Sequence, residues 1–229
     1  MEPEAAYRYL EQKYEKADYL AAVDGFDYYT LNYSGSSLVD SAQFLLAMSH
    51  YNLKEYLLAA DAFNELVRRF PRSPLVAEAM FQTGVSYWKL SPKYALDQEY
   101  TVKAVDALQA FIDYFPERSS RVRDAQELIE QCRAKLAQKD FESGIIYIKT
   151  KDFRSAEIYL KSVTELYYDT PWATDAAYWI AFAQAEDERT AEAMQSYREF
   201  ILKYPEHPLR PQAEESLKKL AEVPVEGGR

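Results

Sequence analysis

The chain has 229 residues, with 27 Lys and Arg against 37 Asp and Glu, a formal net charge of −10. That sign repels a phosphate backbone, so no nucleic-acid partner is expected. The 6 glycines leave little room for phosphate-binding loops or hairpin-rich β architecture. No run approaches the roughly 18 consecutive apolar residues of a membrane span, and 48% hydrophobic residues exclude global disorder.

In chain order, Met1-Glu2-Pro3-Glu4 offers neither a basic nor an apolar leader region, so no signal or transit peptide is expected within the chain. From there the sequence repeats itself. The phrase "LVRRFPRSPLVAEAM" returns as "FIDYFPERSSRVRDAQ", "VTELYYDTPWATDAA" and "FILKYPEHPLRPQAE", with a degenerate first copy around Tyr33. Aligned on the aromatics Tyr33, Phe70, Phe115, Tyr167 and Tyr204, three columns emerge. Eleven residues before each anchor stands Ala22, Ala59, Ala104, Ala156 or Ala193. Seven before stands Phe26, Phe63, Leu108, Leu160 or Tyr197, and nine or ten after stands Ala42, Ala79, Ala125, Ala176 or Ala213.

Small Ala lets two helix backbones approach, and a large residue one turn later fills the groove between them. Pro just past three of the anchors stops the second helix. The first helix of each later pair supplies its own small residue: Ala47, Gly84, Gly144 and Ala181. Anchor spacings of 37, 45, 52 and 37 residues approach the roughly 34 of a tetratricopeptide repeat. The third repeat carries a longer inner loop, "LSPKYALDQEYT", and the fourth a long lead-in from Arg121 to Lys149 at helical spacing, expected as one helix. An amphipathic segment from Leu209 to Leu220 is expected to cap the stack. The expected fold is all-α, a tetratricopeptide-repeat solenoid of five helix pairs plus a capping helix. Residues 3–115 form repeats one to three, 116–222 form repeats four and five with the linking helix and cap, and 223–229 form a flexible tail.

Catalytic chemistry is not expected. The two histidines, His50 and His207, fall in different repeats, and no HExxH, CxxC, GxSxG or EF-hand pattern is present. No cofactor or metal is implied. The single Cys132 permits no internal disulfide and reads as a small buried apolar residue. Acidic residues interleaved with Lys and Arg read as solvated faces with i,i+4 pairs.

Two aromatic series on the first helices are the candidate binding residues. Tyr7, Phe44, Phe81, Phe141 and Tyr178 recur in every repeat, as helix packing would require. Tyr14, Tyr51 and Trp88 keep a strict 37-residue period but give way to Ile148 and Ala185 in repeats four and five. A ladder confined to three repeats suits an extended peptide. Met48, with Phe44, occupies a position where carboxylate-gripping tetratricopeptide adaptors carry Lys or Asn, so that clamp is absent. The candidate peptide-binding set is therefore Tyr7, Tyr14, Phe44, Met48, Tyr51, Phe81 and Trp88.

The stretch from "SPKYALDQEYT" through "CRAKLAQKDFESGIIYIKTKDFRSA" to "WATDAAYWIAFA" strongly resembles the BamD (ComL/YfiO) family. These are the tetratricopeptide lipoproteins of the bacterial outer-membrane β-barrel assembly machinery, and the resemblance spans about residues 4–204. It implies a non-enzymatic scaffold at the periplasmic face of the outer membrane, with unfolded barrel precursors on the N-terminal repeats. It further implies that the C-terminal repeats dock the periplasmic domains of a BamA-type barrel protein, with other assembly lipoproteins as further partners. The docking surface would map to the helices around Lys151–Tyr168 and Trp172–Asp187, with Tyr159, Lys161, Glu165 and Tyr168 as candidates. The family's lipid-bearing N-terminal Cys is not carried here, and Cys132 cannot substitute. Membrane attachment is thus expected only through an anchor outside this chain. The rival expectation is a soluble periplasmic tetratricopeptide adaptor with no part in barrel insertion.

Overall fold

The computed structural model describes residues 2–117 and 119–222, for Ser119 the backbone alone; the tail expected at 223–229 lies outside the described residues. The described residues form eleven helices: α1 (Pro3–Glu15), α2 (Tyr19–Asn32), α3 (Val39–Asn52), α4 (Tyr56–Arg69), α5 (Val76–Leu90), α6 (Glu99–Tyr114), α7 (Ser119–Lys149), α8 (Phe153–Leu166), α9 (Trp172–Glu186), α10 (Thr190–Lys203) and α11 (Arg210–Glu222). They are the five expected pairs and the cap, with α7 the expected long helix. Two compact units divide inside α7, Met1–Cys132 and Arg133–Arg229.

In the first unit, Ala22, Ala59, Ala104, Ala42, Ala79 and Ala125 are fully buried, as are Phe26, Phe63 and Leu108. The N-terminal part of α7 covers α5 and α6, where Ala125 and Ile129 join Phe81, Leu108 and Phe111 in one cluster. In the second unit the same columns recur as buried Ala156, Ala193, Ala176 and Ala213 with Leu160 and Tyr197. There the C-terminal part of α7 brings Ala137 and Phe141 against α8 and α9.

Repeat one reverses the size pattern. Leu10 stands on α1 where later repeats carry Ala or Gly, and the opposing α2 supplies Gly25, where a Cβ would lie 2.1 Å from Leu10 Cδ2. The close approach is preserved because volume moves from one helix to its partner.

The turn inside repeats one, two, four and five is built alike. The amides of Asp18, Glu55, Asp152 and Arg189 donate back to the carbonyls of Lys13, His50, Tyr147 and Gln184 at 2.9–3.0 Å. The residue before each, Ala17, Lys54, Lys151 or Glu188, is left-handed with φ of 58, 64, 61 and 59°. This closes the last carbonyls of the first helix in a six-to-one bond, at a cost of about 1 kcal/mol per non-glycine residue.

Repeat three replaces that turn with its longer loop, organised by Gln98. The Gln98 amide donates to the carbonyls of Lys93 (2.9 Å), Tyr94 (3.3 Å) and Leu96 (3.1 Å) and accepts from Thr101 Oγ1 at 2.6 Å. Both Gln98 and Thr101 are buried. Gln98→Leu should therefore lower stability by about 2 kcal/mol, because buried polar groups lose partners without gaining water. Urea unfolding followed through Trp88 fluorescence measures this; an unchanged midpoint would mean that the loop holds its shape without the glutamine.

Candidate functional site

The two aromatic series separate once packed. Tyr7, Phe44 and Phe81 each turn onto the second helix of their own repeat, with centroids 6.0 Å from Phe26, 5.5 Å from Phe63 and 5.6 Å from Phe111. Tyr7 and Phe81 are only 9% and 5% exposed. Burial, with the Glu11 carboxylate alongside, pushes the Tyr7 phenol up to about 12. As contact residues for a peptide, Tyr7 and Phe81 are thus corrected to core positions. The reason is geometric: three residues before the small position, the side chain points between the paired helices.

The second series stays partly open. Tyr14 lies edge-on to Tyr19 at 5.6 Å and Tyr51 edge-on to Tyr56 at 5.3 Å, each half-buried at the turn end of its repeat. Burial raises the phenol pKa of both. Asn52 Nδ2 donates to Tyr14 Oη at 3.2 Å, linking repeats one and two. Trp88, also half-buried, carries the Lys89 ammonium 4.5 Å from its ring centre. Met48 and Phe44 are half-buried against the cluster of Phe63 and Leu66. The partners Tyr19 and Tyr56 were not among the sequence candidates, although they share the 37-residue period.

In the second unit, α8 exposes Ile158 (69%), Leu166 (59%) and, just past its end, Tyr168 (73%). Tyr159 is stacked on Tyr147 of α7 at 5.3 Å. Lys161 and Glu165 line a groove of about 320 Å³ with Glu199, Lys203 and Tyr204 of the α10 region, floored by Ile180 and Phe200. The structure therefore joins Lys161 with Glu165 and sets Tyr159 and Tyr168 apart from them. Arg133 fixes the end of α8, donating to both oxygens of Asp169 (2.6 and 3.0 Å) and to the Leu166 carbonyl (2.8 Å).

Beneath Lys161 sits a cluster that sequence reading assigned to solvent. Glu157, 7% exposed, accepts from Arg189 (2.5 Å), Gln184 (2.8 Å) and Lys161 (3.0 Å). Arg189 also grips Asp187 and Glu192, both at 2.8 Å, and Ser196 donates to Gln184 at 2.7 Å. Burial alone would raise the Glu157 pKa, but these donors outweigh it and hold the carboxyl at about 2.

Among the described residues no group of three or more His, Cys, Asp or Glu could hold a metal ion, and no helix is long and apolar enough to cross a membrane. His50 faces Glu55 at 2.7 Å; His207 faces Asp175 at 3.3 Å and accepts the Leu209 amide at 3.2 Å. Cys132 is buried.

The helix pairs and their columns define a tetratricopeptide-repeat protein, and residues 175–207 match the tetratricopeptide repeat family itself. Residues 1–152 match the outer membrane lipoprotein family YfiO, and the chain belongs to that family. A search of curated proteins found no match. Among solved structures, a tetratricopeptide protein from Bacteroides fragilis aligns at 15% identity over 96% of this chain and 98% of its own, with TM-score 0.47. The complex of the TPR2AB domain of yeast Sti1 aligns at 15% identity over 96% and 85%, with TM-score 0.45. A tetratricopeptide protein of Thermus thermophilus aligns at 21% identity over 94% and 99%, with TM-score 0.37.

Proposed function

We propose that this chain is a non-enzymatic scaffold subunit of outer-membrane β-barrel assembly, working at the periplasmic face of the outer membrane. The observation that carries the reading is the family match over residues 1–152, a stretch that includes both insertions foreign to a plain tetratricopeptide repeat. In this reading repeats one to three, residues 3–115, receive unfolded barrel precursors on the partly open Tyr14, Tyr51 and Trp88, with Phe44 and Met48 beside them. Repeats four and five, within 116–222, dock the periplasmic domains of a BamA-type barrel protein through Lys161 and Glu165, with Tyr159 and Tyr168 at the margins. Other assembly lipoproteins are further partners.

The chemistry suits these tasks. Half-buried rings already held edge-on lose little entropy when a second aromatic or aliphatic side chain covers them. An exposed apolar face on α8 rimmed by charges has the composition of a protein interface.

The double variant Tyr14→Ala with Tyr51→Ala should weaken binding of a precursor-derived peptide about tenfold, while calorimetric affinity for the barrel protein's periplasmic domains stays unchanged. Equal peptide affinity in a folded double variant would assign both tyrosines to packing. Absence of any binding between the wild-type chain and those periplasmic domains would favour the general periplasmic adaptor.

A further inference from the structure

We propose that Glu157 is a positioning residue for docking, holding the Lys161 ammonium in place at the edge of the α8–α10 groove. The inference rests on the docking reading above and concerns a residue that reading does not include. Lys161 is half-exposed, at 51% of its side chain, and a free lysine on a helix surface samples many rotamers. Immobilising such a side chain on binding costs roughly 0.5–1.5 kcal/mol. Here that ordering is already made, because Lys161 Nζ lies 3.0 Å from Glu157 Oε1 one turn earlier on α8. The order of the pair, Glu before Lys at i and i+4, is the favourable one for a helix.

Glu157 cannot follow Lys161 outward. Its Oε2 is held by Arg189 and its Oε1 also takes the Gln184 amide, so α9 and the turn into α10 anchor it from a different repeat. The Lys161 ammonium spends one of its three protons on Glu157, leaving two for a partner's carboxylate or carbonyls. The groove it borders also presents Glu165, Glu199 and Lys203, the charged groups that face it from α8 and α10. A partner must therefore match a fixed charge pattern, which favours specificity over adaptability.

The test is a double-mutant cycle read as calorimetric affinity for the periplasmic domains of the barrel protein from the same genome. Lys161→Gln should weaken binding about tenfold and Glu157→Gln about threefold or more, with the double variant no weaker than Lys161→Gln alone. A purely structural role for Glu157 would instead give losses that multiply, and that result overturns the proposal. So does wild-type affinity in Glu157→Gln alongside a weakened Lys161→Gln. Unchanged affinity in Lys161→Gln would overturn the docking assignment of Lys161 and the positioning role together. Should Glu157→Gln fail to fold, Glu157→Asp decides, since it keeps the buried negative charge for Arg189 to compensate but draws the carboxylate back towards α8 by about 1.5 Å. A loss that disappears in the Lys161→Gln background supports the proposal, and no loss overturns it.

Discussion

Gly84→Val is expected to destabilise the protein by about 3 kcal/mol, at the upper end of ordinary overpacking. A Cβ at Gly84 would lie 2.5 Å from Leu108 Cγ, 2.6 Å from its Cδ2 and 3.2 Å from its backbone nitrogen. Leu108 is fully buried, so its side chain has nowhere to swing, and its backbone belongs to α6. The companion change Leu108→Ala removes the side-chain clash but not the approach of the backbone, so the double variant should recover only part of the loss. Urea unfolding of the single and double variants measures both. A cost below about 1 kcal/mol for Gly84→Val would mean that α5 and α6 can part freely, which close packing forbids.

The second large effect lies in the Glu157 cluster. Arg189→Met should cost about 3–5 kcal/mol, because it leaves a buried carboxylate without its strongest partner. The same cluster sets an acid limit. The Glu157 carboxyl, ordinarily near 4.5, is held at about 2 in the folded chain. A depressed carboxyl stabilises the fold fully above its unfolded pKa and loses that contribution as pH falls towards the folded value. The wild-type protein should accordingly lose roughly 3 kcal/mol from this group between about pH 4.5 and 2. Fluorescence of Trp172 and Trp179, both beside the second unit's core, reports the transition. In Glu157→Gln this part of the acid slope should vanish; an identical slope in the variant would place the acid sensitivity elsewhere.

Among the features legible in the residues, those set by short-range spacing stand out. Ala22, Phe26 and their counterparts repeat at fixed distances from an aromatic anchor, and all of them are buried as a helix pair requires. The long α7 was legible because apolar residues recur at helical spacing, with no proline between them, from Arg121 to Lys149. The insertion of repeat three was legible as extra length, though Gln98 as its organiser was not. Its bonds to Lys93, Tyr94 and Leu96 depend on a loop path that composition does not encode.

The chain's own sequence thus determined the helices, their pairing and the family, because period, small-residue spacing and turn chemistry act within a few residues of one another. Tertiary structure decided which functional candidates remain accessible. Tyr7 and Tyr14 lie seven residues apart on one helix and both stand among the peptide-binding candidates, yet Tyr7 is closed between α1 and α2 while Tyr14 is left half-open at the turn. It decided the fate of Glu157 too. Four residues before Lys161, it fits the spacing of a solvated i,i+4 pair, and it is buried because Gln184 and Arg189, 27 and 32 residues away, close over it. Desolvation and the donors that offset it come from another repeat, and no spacing along α8 could announce them.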